Sequence, residues 1–138
     1  MGREPDWQRT LEKTKQVIGW VLGGPSSWTE TVTEYHDSRP VIVPYTVLDL
    51  AEDVGMWCGT VARDLHQAGL VSDHVRQCLD EMGYIADGQE GNPTFDSMEG
   101  YNSHPLWKRI RQLAREVANE LGMEVDPDAG QPGAMPKR

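Results

Sequence analysis

The centre of this sequence is a series of short amphipathic segments, two of which are followed by a glycine. Apolar residues at helical spacing occupy residues 47–54, 61–68 and 75–82, and Gly55 and Gly69 follow the first two segments. Apolar positions that recur every three or four residues place one face of a helix in a core, and glycine is common where a helix ends. The pattern therefore predicts three short helices in tandem.

Two longer helices are predicted on either side of this centre. The first covers residues 5–22, and the stop signal after it is Gly23-Gly24-Pro25. The last begins at Ser103 and Pro105, carries leucine, isoleucine and valine at steps of three and four, and ends at Gly122. Both segments have the apolar spacing and the terminal residues that are typical of amphipathic helices. The fold class that follows is all-α.

Other segments have weaker signals. Residues 28–36 are predicted to form a helix capped by Ser27, although their alternation also suits a strand, and residues 41–44 ("VIVP") form an extended connector between prolines. Tyr84-Ile85 and Thr94-Phe95 are candidates for two short strands around a glycine-rich loop. Such a pair would add a small β wing to the helical domain.

The whole chain is predicted to form one small helical domain, residues 1–124, with a flexible C-terminal tail at residues 125–138 that is rich in proline, glycine and aspartate. A chain of 138 residues can bury a core without disulfides or metals. Its longest apolar runs are far below the roughly twenty residues that cross a bilayer, so no membrane association is expected. Two cysteines inside predicted helices, with no secretory run before them, favour a cytoplasmic protein.

Residues 45–86 have the spacing of a helix-turn-helix. Ala51 supplies a small residue in a first helix, Gly55 a turn glycine, and Val61 an apolar residue six positions later. In addition, "GTVARDL" at residues 59–65 is similar to the opening of recognition helices. The segment "VRQCLDEMGYI" is similar to a recognition helix followed by a wing. Over about forty residues, the chain thus resembles the helix-turn-helix and winged-helix DNA-binding superfamily.

The resemblance implies a non-enzymatic regulator that binds DNA through residues of two alternative registers. The residues nearest the bases would be Trp57, Thr60, Arg63, Arg76 and Gln77. The phosphate contacts would come from the basic run of the last predicted helix, namely Lys108, Arg109, Arg111 and Arg115. The resemblance also implies that Gly55 bends the backbone so that the two flanking helices cross.

The charge distribution leaves a second function open. The net charge is −9, and residues 45–82 contain seven acidic residues against Arg63 and Arg76. Because DNA affinity depends on neutralised phosphates, an acidic recognition element has two interpretations. Either the phosphate contacts of a DNA regulator, which is the first prediction, lie on another helix, or the protein is an acidic adaptor or inhibitor that binds another, basic protein through Trp57 and the acids around it. A plain three-helix core explains the same apolar spacing. The apolar stripe of the last helix either docks into the core or forms a homodimer.

Two further residue clusters were weighed for chemistry. Cys58, His66, His74 and Cys78 could form a zinc site, but they lack a tight Cys-x-x-Cys knuckle, and buried cysteines with half-exposed histidines explain them equally well. The segment "EYHDS" at residues 34–38 combines carboxylates with an imidazole, but no oxyanion hole or phosphate loop accompanies it. The expectation is therefore no cofactor, no metal and no catalytic residue.

Overall fold

The structure, a computed structural model, describes residues 6–28 and 31–123. This part of the chain is mostly helical, with a small two-stranded antiparallel sheet. The α-helices are α1 (Trp7–Gly23), α2 (Val47–Val54), α3 (Ala62–Gln67), α4 (Asp73–Gly88), α5 (Met98–Ser103) and α6 (Pro105–Glu120). The strands are β1 (Thr31–His36) and β2 (Arg39–Pro44), a 3-10 turn covers Pro25–Ser27, and a π-helical segment covers Gly55–Thr60.

The predicted tail at residues 125–138 lies outside the described residues. Within the described ranges, none of the helices combines the length and the apolar character needed to cross a lipid bilayer.

Helix α6 forms one side of the core and packs against α1 and α4. Its apolar stripe is buried: Trp107, Ile110, Leu113, Ala114 and Val117. Of the two alternatives drawn from the sequence, docking into the core is the one observed. The buried part of the stripe is therefore not available for the predicted homodimer through this helix.

Several helix ends lie where the sequence predicts them. Ser72 caps α4, because its Oγ accepts a hydrogen bond from the Val75 amide at 3.1 Å. Gly69 and Gly122 follow α3 and α6 with φ of 77° and 70°, a backbone conformation that glycine adopts without strain. Helix α1 ends at Gly23. Local capping and backbone freedom are sufficient to set these boundaries.

The predicted helix at residues 28–36 is wrong from Thr31 onwards, because residues 31–36 form β1 and pair with β2 in register, Thr31 opposite Pro44 and His36 opposite Arg39. Asp37 and Ser38 make the connecting turn with positive φ. β-branched residues and a two-residue turn together favour a hairpin over a helix here.

The predicted wing is also wrong in its position. Tyr84 and Ile85 belong to α4, and Thr94 and Phe95 lie in a turn. Helix α4 continues through these residues because its buried positions, Cys78, Leu79, Met82 and Ala86, keep helical spacing. The only paired strands in the described residues are those of the hairpin between α1 and α2.

Gly55 does not make the predicted turn. Its φ and ψ are −58° and −45°, which are helical values, and the chain continues from α2 directly into the π-helical segment. The absence of a side chain at Gly55 instead leaves room for the carboxylate of Asp87 on α4. The glycine with positive φ between α3 and α4 is Gly69, so the turn predicted at Gly55 is wrong.

Candidate functional site

A groove of about 680 Å³ lies between α4 and the segment that joins the π-helical residues to α3. It brings together three of the predicted base-reading residues, Thr60, Arg63 and Gln77, which the sequence had assigned to two different registers. Its other lining residues are Gly59, Asp80, Glu81, Tyr84 and Asp87.

A second groove between α2 and α4 adjoins the first. It is lined by Leu48, Ala51, Glu52, Gly55, Met56, Thr60, Ala86, Asp87, Glu90 and Asp96. Thr60 and Asp87 line both grooves, so the two form one continuous surface. We call the combined lining residues the acidic groove.

Large apolar side chains of the acidic groove are exposed to solvent. Tyr84 is 81% exposed, Met56 55% and Leu48 44%. They come from α4, the π-helical segment and α2, and therefore lie along the whole groove. Apolar side chains that gather at one concave surface, unlike scattered ones, are typical of an interaction site.

Carboxylates crowd the same surface. They are Glu52, Asp80, Glu81, Asp87, Glu90 and Asp96, whereas the basic residue lining the groove is Arg63. Partial burial and then repulsion, first from Asp49 and Asp53 and then from Asp96 and Glu90, raise the pKa of the Glu52 carboxyl. Partial burial also raises the pKa of Asp96. The charge around Glu52 is thus unfavourable for its carboxylate.

The predicted base readers on α4 are engaged by acids of their own helix. Arg76 forms ion pairs with Asp73 at 2.9 Å and Asp80 at 2.8 Å, and these bonds raise its pKa further. Gln77 donates a hydrogen bond from Nε2 to Asp73 at 2.8 Å. If α4 were the helix that reads the bases, it would therefore present an arginine already neutralised by Asp73 and Asp80, which gives little attraction for phosphate.

Trp57 lies apart from the acidic groove. It is partly buried against the core, and its ring centroid is 5.9 Å from the Nζ atom of Lys13 on α1. Its carbonyl accepts a hydrogen bond from the Thr14 hydroxyl at 3.2 Å. These contacts orient Trp57 towards α1, and it does not line the groove that holds the other predicted base-reading residues Thr60, Arg63 and Gln77.

The basic residues of α6 do not form a phosphate clamp. Arg109 makes a bidentate ion pair with Glu81 of α4, at 2.6 Å from Nε and 3.0 Å from a terminal nitrogen. This pair raises the pKa of Arg109 and lowers that of Glu81. Lys108 is exposed and Arg115 is partly buried. A charge already held by a carboxylate contributes little to DNA binding.

Arg111 is buried, with 1% of its surface exposed, and the prediction that it contacts phosphate is wrong. Its guanidinium donates hydrogen bonds to the carbonyl oxygens of Tyr101 and Asn102, near the end of α5, and lies 4.9 Å from the centroid of the Tyr101 ring. Burial lowers the pKa of Arg111. The cation satisfies carbonyls at a helix C-terminus, which is a structural role.

The Cys-His-His-Cys set that was considered from the sequence and not adopted is not assembled in the structure. In the described ranges, the metal-ligating side chains that converge are His74, Cys78 and Glu116. Cys58 is fully buried elsewhere in the core, and burial raises the pKa of its thiol to about 12.

In the "EYHDS" segment, Glu34 and His36 lie 3.7 Å apart on the exposed hairpin. Both side chains are exposed to solvent, at 64% for His36 and 47% for Glu34, whereas acid or base catalysis needs a site that excludes water.

From the sequence we did not identify the residues that make the groove apolar and acidic, above all Tyr84 and Asp87. Both were placed in a strand or loop, whereas Asp80, Tyr84 and Asp87 follow helical spacing and share one face of α4. Spacing of i, i+4 and i+7 was the signal that could have identified this face.

Comparisons of the chain with protein-family models, with curated proteins and with solved structures found no match.

Proposed function

We propose that this protein is a non-enzymatic binding protein whose acidic groove holds a basic, partly apolar segment of another protein. The observation that carries the proposal is the coincidence of exposed apolar side chains and crowded carboxylates on one continuous surface. Neither feature alone would specify the partner, but together they match a polypeptide that carries both lysine or arginine and apolar residues.

The apolar side chains supply the affinity in this proposal. Tyr84 is the strongest candidate anchor, because it is the most exposed of the three and because tyrosine is enriched among residues that dominate binding energy. Met56 adds a flexible side chain that adapts to different apolar partners. Burying such groups under a partner removes apolar area from water, which is the main favourable term in association.

The carboxylates supply the selectivity. Asp87 lies where the two parts of the groove meet, and Glu52 and Glu90 lie in the α2–α4 part. Partial burial and then repulsion from nearby carboxylates raise the pKa of Glu52, and cationic side chains of a partner would relieve the repulsion. The same negative charge repels the phosphates of a nucleic acid, so the groove favours a basic polypeptide.

The shape of the groove suits an amphipathic helix. One long helix, α4, forms its continuous wall, while α2, the π-helical segment and α3 form the other side. Grooves between helices commonly accept a helical segment whose apolar anchors recur every three or four residues. The partner segment we propose therefore has apolar residues on one face and lysine or arginine beside them.

DNA binding is the second candidate, and one observation favours it. Helix α3, the turn at Gly69 and α4 are arranged in the order of a helix-turn-helix, with Val75, six residues after that glycine, 1% exposed. In this arrangement α4 would be the recognition helix. Arg63 and Lys108 are the exposed cations that would remain to contact phosphates among the residues singled out from the sequence.

A binding experiment separates the two candidates. Fluorescence anisotropy is measured with a labelled helical peptide of leucine and lysine, and in parallel with a labelled random-sequence DNA duplex, at low and moderate salt. We expect the peptide to bind and Tyr84→Ala to weaken its binding about tenfold or more. The matched control is Tyr35→Ala, because Tyr35 on the hairpin is 72% exposed and lies outside the acidic groove.

The outcomes have distinct meanings. Equal effects of the two tyrosine substitutions, or no peptide binding at low salt, would contradict the proposed function. Binding of the duplex with a steep salt dependence, and its loss on Arg63→Glu, would instead support the DNA candidate.

A further inference from the structure

Three metal-ligating atoms converge where α4 packs against α6. They belong to His74 and Cys78, which lie four residues apart on α4, and to Glu116 on α6. All three atoms lie within 4.8 Å of one another. We propose that these residues form a zinc-binding site.

Two of the three separations match those of a tetrahedral site. Nε2 of His74 lies 3.7 Å from Sγ of Cys78 and 3.3 Å from a carboxylate oxygen of Glu116. A tetrahedral Zn²⁺ ion with ordinary bond lengths holds its sulfur and nitrogen ligands about 3.5 Å apart and its nitrogen and oxygen ligands about 3.3 Å apart. The third pair, Sγ of Cys78 and the Glu116 carboxylate, lies within 4.8 Å, and the exposed Glu116 side chain would have to move closer to the sulfur to complete the set.

A metal ion also explains why one imidazole nitrogen faces two partners. Nε2 of a neutral histidine can donate to the Glu116 carboxylate or accept from the Cys78 thiol, but it cannot do both at once. A zinc ion at the centre binds the nitrogen, the sulfur and the oxygen together. The convergence on a single atom is therefore better suited to a shared cation than to two separate hydrogen bonds.

The accessibility of the site permits an ion to enter. His74 and Glu116 are exposed, whereas Cys78 is buried beneath them and is only 3% exposed. Three protein ligands leave a fourth position open to water.

The mixture of nitrogen, sulfur and oxygen donors suits zinc, whereas calcium and magnesium prefer oxygen donors throughout. The ligands come from two packed helices, so the bound ion would hold α4 against α6.

The site is tested by zinc titration of the reduced, full-length protein against a chromophoric chelator, with Co²⁺ as a spectroscopic probe. We expect one zinc ion per chain and a thiolate-to-cobalt charge-transfer band. Because removing a residue that only orients a metal ligand already costs roughly tenfold to a hundredfold in metal affinity, His74→Ala, which removes a ligand itself, should weaken zinc binding at least as much. Glu116→Gln should weaken it as well.

The matched control is His36→Ala, which removes a histidine that also faces a glutamate, Glu34, but has no cysteine beside it in the described structure. Both His74 and His36 are exposed, so neither substitution should unfold the chain. Zinc affinity that is unchanged by His74→Ala, or no binding at micromolar zinc, would overturn the proposal. The acidic groove plays no part in this inference, so the two proposals stand or fall separately.

Discussion

Gly59 and Gly83 bring the π-helical segment and α4 into direct backbone contact. A Cβ atom added to Gly59 would lie 3.1 Å from Cα of Gly83, and one added to Gly83 would overlap the backbone nitrogen and Cα of Gly59. The absence of side chains at both positions lets the two helical segments approach closely. This approach brings the two walls of the acidic groove together.

Gly83→Ala should destabilise the fold by about 2 kcal/mol, because the new methyl group meets backbone atoms that cannot move without separating the helices. Urea unfolding followed by circular dichroism measures the change. The control is Gly88→Ala on the same helix, where an added Cβ has open space and the substitution should be neutral or stabilising. Equal stabilities of the two variants would show that the contact is not close.

Gly69→Ala should cost about 1 kcal/mol through backbone strain alone, because φ is 77° and an added Cβ meets no other atom. Gly19→Ala also places a methyl group in open space, but in the helical backbone of α1, and should stabilise the protein by a similar amount. The two substitutions should therefore shift the midpoint of thermal unfolding in opposite directions. Shifts of the same sign would contradict the assignment of the turn to Gly69.

Arg111→Ala should destabilise the protein by about 3 kcal/mol, since it leaves the carbonyls of Tyr101 and Asn102 without their charged donor and opens a cavity. Lys108→Ala, three residues earlier on an exposed position, should change stability by less than about 0.5 kcal/mol. Chemical denaturation of both variants measures the difference. An unchanged free energy of unfolding in Arg111→Ala would contradict the structural role of this buried side chain.

Glu52→Gln should raise stability slightly at pH 7. The raised pKa of Glu52 means that the folded protein favours the protonated carboxyl. The contribution of Glu52 to folding stability is therefore fully present below its ordinary pKa of 4.5, and it is lost as the pH rises through the pKa of Glu52 in the folded protein. Replacing the ionised carboxylate by a neutral amide avoids this loss of stability at pH 7, and solvent screening limits the resulting increase in the free energy of unfolding to about 0.5 kcal/mol. The stabilisation should disappear when thermal unfolding is measured below pH 4.5.

Glu81→Gln provides a comparison of opposite sign. Arg109 lowers the pKa of Glu81. The contribution of Glu81 to folding stability is therefore present above its ordinary pKa of 4.5, and it is lost as the pH falls through the pKa of Glu81 in the folded protein. The substitution should therefore destabilise the protein slightly at pH 7 and have little effect in acid. Effects of the same sign at Glu52 and Glu81 would contradict the electrostatic description of the groove.

The helices were predictable because their signals are local. The spacing of apolar residues in α1 and α6, and the cap at Ser72, depend on residues within a few positions of one another.

The candidate site was only partly predictable. Thr60, Arg63 and Gln77, which were predicted as base-reading residues, share a groove, but Tyr84 was assigned to a strand, and the ion pairs of Arg76 and Arg109 were not predicted.

What the sequence determined by itself is the helical character, most helix ends and the excess of acidic charge, because each depends on composition or on neighbours along the chain. Only the tertiary structure decided that Gly55 stays helical, that Arg111 is buried and that Glu116 meets His74 and Cys78. These outcomes depend on which helix faces pack together, and a residue's packing partners can be far away in sequence.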